Sequence, residues 1–169
     1  MIRIHGVKLH NFMSVRDAAL DFGEGKATLI VGENGSGKST VLCAIGLAFD
    51  SYKKGSVYSD YITKGETEAQ VLIEASVHGV PLTCDITIKQ TGTALNRKYT
   101  YGDEDPCVNS ECDELLKRLD VEYFSKIIFM MQDEGDVTKI GASARANLLS
   151  KLLNFDFSAQ VKELSDQIK

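Results

Sequence analysis

Between Ala69 and Gln90 the chain alternates apolar and polar residues twice. Val71, Ile73, Ala75 and Val77 fall on one side of the first run, and Leu82, Cys84, Ile86 and Ile88 on one side of the second. A period of two is that of a half-buried strand, and Gly79-Val80 between the runs predicts an antiparallel hairpin. Arg97 to Tyr101 extends this meander as a third strand, closed by Gly102-Asp103-Glu104-Asp105-Pro106. Upstream, Ile2, Ile4, Val7 and Leu9 alternate with one slip at Gly6, where a bulge is expected. Asn11 to Arg16 is turn-like, Ala18 to Phe22 is a short second strand, and Gly23-Glu24-Gly25-Lys26 is a tight turn. Leu29-Ile30-Val31 then predicts a strand, followed by a Gly-rich loop and an apolar helix ending near Phe49.

Beyond that helix, Asp50 to Thr67 is polar and expected to be a surface loop. Ser110 to Leu119 carries Leu115, Leu116 and Leu119 at helical spacing, with Ser110 as the expected N-cap. Ile127 to Met131 is a short apolar strand that stops at the polar loop Gln132-Asp133-Glu134-Gly135-Asp136, and Ser143 to Asn154 is a helix capped by Ser143. Phe157, Val161, Leu164 and Ile168 follow the a/d rhythm of a coiled-coil seam over fewer than two heptads, so an ordinary amphipathic helix stays open as the alternative.

The Gly-rich loop carries the chemistry. Gly32-Glu33-Asn34-Gly35-Ser36-Gly37-Lys38-Ser39 fits G-x-x-x-x-G-K-[ST] and sits between the expected strand and helix, the setting that a phosphate-binding loop requires. A triphosphate must be held without bulky side chains in the way, and glycines let the backbone turn its N–H groups inward as an anion nest. Asn34, Gly35, Ser36 and Gly37 form that cradle, and Lys38 supplies an ammonium for the β- and γ-phosphates. Ser39 offers a hydroxyl to Mg²⁺, Thr40 adds a further candidate phosphate contact, and the helix beginning here turns its positive end toward the anion.

Composition narrows the partners. With 19 Lys+Arg against 24 Asp+Glu and a net charge of −5, the 169-residue chain offers no global attraction for nucleic acid, so a DNA partner has to be met by a local patch. Lys53, Lys54 and Lys64 are the candidates for such a patch, with a solvated loop as the equal alternative. No apolar run approaches the roughly 20 residues of a membrane span, and the N-terminus lacks a signal-peptide core, so no membrane partner and no secretion are expected. Cys43, Cys84, Cys107 and Cys112 are scattered apart from one C-x4-C pair without a nearby His, which favours reduced thiols over a zinc site.

Together, Asn11-Phe12-Met13-Ser14, Gly32 to Thr40, Lys64-Gly65, Phe129-Met130-Met131-Gln132-Asp133 and the leucine-bearing Arg145 to Phe155 resemble the N-terminal lobe of an SMC-superfamily ATPase head. Within that superfamily they resemble the SbcC-type branch of double-strand-break repair and recombination, over nearly the whole chain. The resemblance implies an α/β fold: a P-loop NTPase of ABC-ATPase type with an antiparallel β-meander and a phosphate-loop strand-helix core. It places this lobe at residues 1–156 and the start of a coiled coil at 157–169. It assigns Gln132 as the Q-loop glutamine that joins Ser39 at Mg²⁺ and shares the catalytic role with Lys38, and Ser14 as a nucleotide contact. Repair-type members often carry Arg at the position of Met13, so either Arg16 substitutes or that contact is absent.

No apolar stretch ends in an Asp-Glu pair and no Ser-Gly-Gly occurs, so the carboxylate that positions water and the signature that completes a partner's site are expected from elsewhere. The resemblance implies that a C-terminal lobe, a second head, DNA and an SbcD-type nuclease complete an ATP- and Mg²⁺-dependent ATPase of the cytoplasm or nucleus. This stretch alone is then expected to hydrolyse ATP poorly. A transporter ATPase subunit or a non-hydrolysing nucleotide-regulated module are the rival readings.

Overall fold

Among the described residues six antiparallel strands form one sheet, and the two at its centre carry the alternation seen in the sequence. A computed structural model describes residues 2–25, 27–50, 57–91 and 94–121, all of them within one compact unit, Met1–Phe129. The strands are β1 (Ile2–Phe12), β2 (Val15–Asp21), β3 (Glu68–Val77), β4 (Val80–Lys89), β5 (Asn96–Tyr101) and β6 (Cys107–Val108). They lie in the order β2-β1-β3-β4-β5-β6. One row runs across all six strands: Leu20, Val7, Ile73, Cys84, Tyr99 and Cys107 are successive register partners. Val7, Ile73, Cys84 and Tyr99 of that row are fully buried, each side chain contributing about 1.5–3 kcal/mol if apolar.

The expected slip at Gly6 is present. The register of β1 against β3 shifts between Ile4 and Gly6, and a Cβ at Gly6 would lie 3.1 Å from the Leu20 carbonyl oxygen. His78 and Gly79, both at positive φ (53° and 85°), form the two-residue turn between β3 and β4. Such a turn matches the twist of the strands it joins.

Among the described residues two α-helices lie against this sheet. Helix α1 (Lys38–Asp50) packs on β1 and β3 and buries Val41, Cys43, Ala44, Leu47, Ala48 and Phe49. Helix α2 (Ser110–Arg118) packs on β5 and β6 through Cys112, Leu115 and Leu116. The buried Tyr99 hydroxyl of β5 donates to the Ala48 carbonyl, 2.6 Å away, tying the meander to the far end of α1. Burial holds its phenol well above the usual tyrosine range, so it stays a neutral donor.

The structure corrects the sequence reading in five places, the first being the turn expected over Asn11 to Arg16, which shrinks to Met13-Ser14 because β1 runs to Phe12 and β2 starts at Val15. The strand expected at Leu29-Ile30-Val31 does not form: this segment joins none of the six strands, and Leu29 and Val31 are 85% and 80% exposed. Apolar residues make a strand only where a neighbour takes up the backbone hydrogen bonds. The expected loop from Asp50 to Thr67 contains a one-turn 3-10 helix, Tyr58–Tyr61. The two-residue β6 was not expected. Finally, α2 is capped by Asn109 rather than Ser110, which is its first helical residue. Asn109 turns the chain at φ 48° while its side-chain oxygen accepts the Arg97 backbone N–H at 3.1 Å. The expected strand at 127–131, the loop at Gln132, the helix at 143–154 and the heptads at 157–169 lie outside the described residues.

Candidate nucleotide site

The phosphate loop takes the shape its glycines allow. Gly35 and Gly37 have φ of 83° and 92°, in the left-handed region that side chains rarely adopt. At Gly37 the space is closed as well, since a Cβ would lie 2.7 Å from Val15 Cγ2. The Ser36 N–H donates to the Glu33 carbonyl at 3.2 Å, forming a turn across the loop, and the Val41 N–H donates back to Gly37 at 3.1 Å as α1 begins. Gly32 fits against the Ser36 hydroxyl, where a Cβ would come within 2.6 Å.

Lys38 is folded over this loop. Its Nζ donates to the carbonyls of Gly32 (2.8 Å) and Glu33 (2.6 Å), which centres the ammonium on the loop instead of leaving it in solvent. Asn34, Gly35, Ser36 and Ser39 are exposed, whereas Thr40 is 4% exposed. No acidic residue sits in the first turn of α1, so its positive end is left for an external anion.

Two candidates from distant parts of the chain meet here. Ser14 Oγ lies 3.1 Å from Thr40 Oγ1, bringing the β1–β2 turn onto the first turn of α1. That turn is strained at Met13 (φ 53°), with Asn11 near the end of β1 also at positive φ (49°), and the stretch around the 3-10 helix holds it. The Met13 N–H donates to the Tyr61 carbonyl (2.7 Å), and the Thr63 N–H donates to Asn11 (2.8 Å). The rings of Phe12 and Tyr61 stack at 5.5 Å. Tyr61 and Val15 therefore position the site, and nothing in their local pattern announced it.

The remaining candidates separate. Arg16 Nη1 lies 3.6 Å from Glu66 Oε1, so its guanidinium is directed to that carboxylate. Lys64 is exposed in the turn that ends at Gly65 (φ 97°). Lys53, Lys54 and Gln132 lie outside the described residues. The described residues hold no cluster of three or more His, Cys, Asp or Glu able to bind a metal, and no helix among them is long and apolar enough to cross a membrane.

A tight glycine loop, an ammonium folded over it and an uncompensated helix N-terminus have the geometry of a P-loop. The AAA domain family matches residues 7–169, and the chain belongs to it. A DNA double-strand break repair Rad50 ATPase of Thermoplasma volcanium is 29% identical over 90% of the chain, and structural maintenance of chromosomes protein 6B of Arabidopsis thaliana is 27% identical over 76%. The chain spans 18% and 13% of the lengths of these two relatives. The structure of the recombination mediator protein RecF-ATP in the RecFOR pathway covers 97% of the chain with a TM-score of 0.59 at 21% identity. These similarities support the N-terminal region of an SMC-superfamily ATPase head with the fold of an ABC-type P-loop NTPase.

Proposed function

We propose that this chain is the ATP-binding half of an SMC- and SbcC-like ATPase head that works on DNA in repair, recombination or chromosome organisation. The observation that carries the reading is the phosphate loop, with Gly35 and Gly37 at positive φ and Lys38 centred over the Gly32 and Glu33 carbonyls. The residues present fit Mg–ATP. The loop N–H groups and Lys38 bind the phosphates, the exposed Ser39 hydroxyl and Gln132 hold Mg²⁺, and Ser14 reaches the nucleotide from the β1–β2 turn. Bound Mg²⁺ would neutralise charge on the transferring phosphoryl group, while this chain positions that group.

Hydrolysis in this reading is shared. The C-terminal lobe supplies a catalytic carboxylate, and a second head closes over the γ-phosphate, so that ATP drives head engagement and moves the coiled coils and any nuclease bound to them. The exposed Leu29 and Val31 support the first of these partners, since each leaves roughly 1.5–3 kcal/mol of burial unrealised. Beside them a cleft of about 290 Å³, lined by Ile4, Phe22, Thr28, Ile30, Leu42 and Ile45, is apolar enough to take a further layer of core. The similarity to repair and chromosome proteins supports DNA as a partner and a DNA-associated location in cytoplasm or nucleus. Lys53, Lys54 and Lys64 are the proposed backbone-phosphate contacts.

The test is ATP turnover by the full-length protein with and without double-stranded DNA. Stimulation by DNA that disappears in Lys38→Ala supports the reading. Binding of ATP without any turnover would make this a nucleotide-regulated module instead.

A further inference from the structure

We infer that Cys107 and Cys112 form a modification site, a thiol pair that a hydroperoxide converts to an intramolecular disulfide fastening β6 to the first turn of α2. The two Sγ atoms are 3.6 Å apart, and the Cys112 thiol also approaches the Cys107 carbonyl at 3.5 Å. A disulfide needs the sulfurs at about 2.0 Å, so the two atoms that now touch have to close the remaining gap.

The turn between the two residues fixes this approach. Asn109, at φ 48°, reverses the chain and is pinned by the Arg97 N–H on its side-chain oxygen. The Glu111 carboxylate accepts the Val108 N–H at 2.9 Å. Behind the turn, Arg97 and Asp113 pair through both guanidinium nitrogens at 2.6 and 2.8 Å, locking β5 to α2.

The surroundings of the two thiols divide the work between them. Cys107 is half-buried and lines an open cleft of about 260 Å³ with Tyr101, Glu104, Glu111 and Arg118, wide enough for a small peroxide. Cys112 is fully buried, and burial together with the hydrogen bond from Cys107 pushes its thiol up to about 12. Cys107 is therefore the thiol that meets the oxidant, and Cys112 resolves.

In the first step the Cys107 thiolate attacks one peroxide oxygen. The O–O bond breaks, the second oxygen leaves as an alcohol or water after protonation, and Cys107 becomes a sulfenic acid. In the second step Cys112 sulfur attacks the Cys107 sulfur, the S–O bond breaks, and the hydroxide leaves with the Cys112 proton as water. The two thiols lose two electrons and two protons in all, and the hydroperoxide is the acceptor. Cys107 is the register partner of Tyr99, whose hydroxyl holds the end of α1, so the bond stiffens the sheet edge that anchors the phosphate-loop helix.

The test uses the whole chain treated with a few equivalents of hydrogen peroxide, blocked with N-ethylmaleimide and mapped by mass spectrometry without reduction. The expected product is a Cys107–Cys112 linked peptide two hydrogens lighter than its reduced form, reversed by dithiothreitol, with the buried Cys43 and Cys84 unoxidised. In Cys112→Ser, Cys107 is expected to accumulate as a dimedone-trapped sulfenic acid; if that variant does not fold, the wild-type map decides alone. Equal alkylation of both thiols before and after peroxide, a sulfinic acid at Cys107 beside an intact Cys112 thiol, or a linkage between chains would overturn the proposal.

Discussion

Ser14 Oγ and Thr40 Oγ1 lie 3.1 Å apart, although 26 positions separate the two residues in the chain. Thr40 is buried, and a buried hydroxyl needs a partner. The contact therefore holds the β1–β2 turn against the loop that cradles phosphate. In the proposed function, Ser14 touches the nucleotide from the same position.

Replacing Ser14 by Ala removes this partner. Ser14→Ala is expected to cost about 1 kcal/mol of stability, read from urea unfolding, and to weaken ATP binding several-fold by calorimetry. An unchanged affinity would mean that the β1–β2 turn plays no part in the site.

Gly37 tolerates no side chain. Gly37→Ala combines a left-handed backbone, costing roughly 1–2 kcal/mol, with a Cβ only 2.7 Å from Val15 Cγ2. The expected outcome is a lower Tm and loss of ATP binding, whereas Gly35→Ala meets nothing within 4 Å and should be milder in stability.

Tyr99→Phe deletes the buried hydroxyl that donates to Ala48 and leaves that carbonyl without this donor. A loss of about 1–3 kcal/mol follows from an unmade buried hydrogen bond. Hydrogen exchange should show the C-terminal end of α1 opening more readily than its N-terminal end.

Asp113 makes stability depend on acid. Its hydrogen bond with Arg97 holds the carboxyl below the usual aspartate range in the folded state. The contribution is therefore complete above the unfolded value of about 3.9 and is lost as pH falls through the lower folded value. The Asp113 side chain is 46% exposed, so solvent screening keeps the effect modest. Asp113→Asn should flatten the stability curve below about pH 4 and leave its slope near neutrality unchanged.

The meander was legible because β3 and β4 place apolar residues at every second position, and β1 starts the same way with a slip at Gly6. The phosphate loop was legible because its glycines and lysine are contiguous. Four features were not. β6 is too short for Cys107 and Val108 to show any period. Tyr58–Tyr61 earns its place by bracing a turn more than 40 positions upstream, through the Tyr61 carbonyl and the Met13 N–H, and no local pattern encodes that contact. Leu29-Ile30-Val31 was read as a strand from apolarity, yet strand formation depends on a neighbouring ladder as much as on composition. The meeting of Ser14 with Thr40 depends on the same kind of distant register.

In the proposed function the loop Gly32 to Thr40 binds Mg–ATP while the chemistry needs a further lobe. Parallel measurement of ATP binding and ATP turnover by this 169-residue chain, as wild type and as Lys38→Ala, tests it most directly. Expected are binding by the wild type, binding at least about tenfold weaker in the variant, as for loss of roughly 1.4 kcal/mol or more, and negligible turnover in both. Equal binding by the two proteins, or turnover by the wild type that Lys38→Ala abolishes, would contradict it.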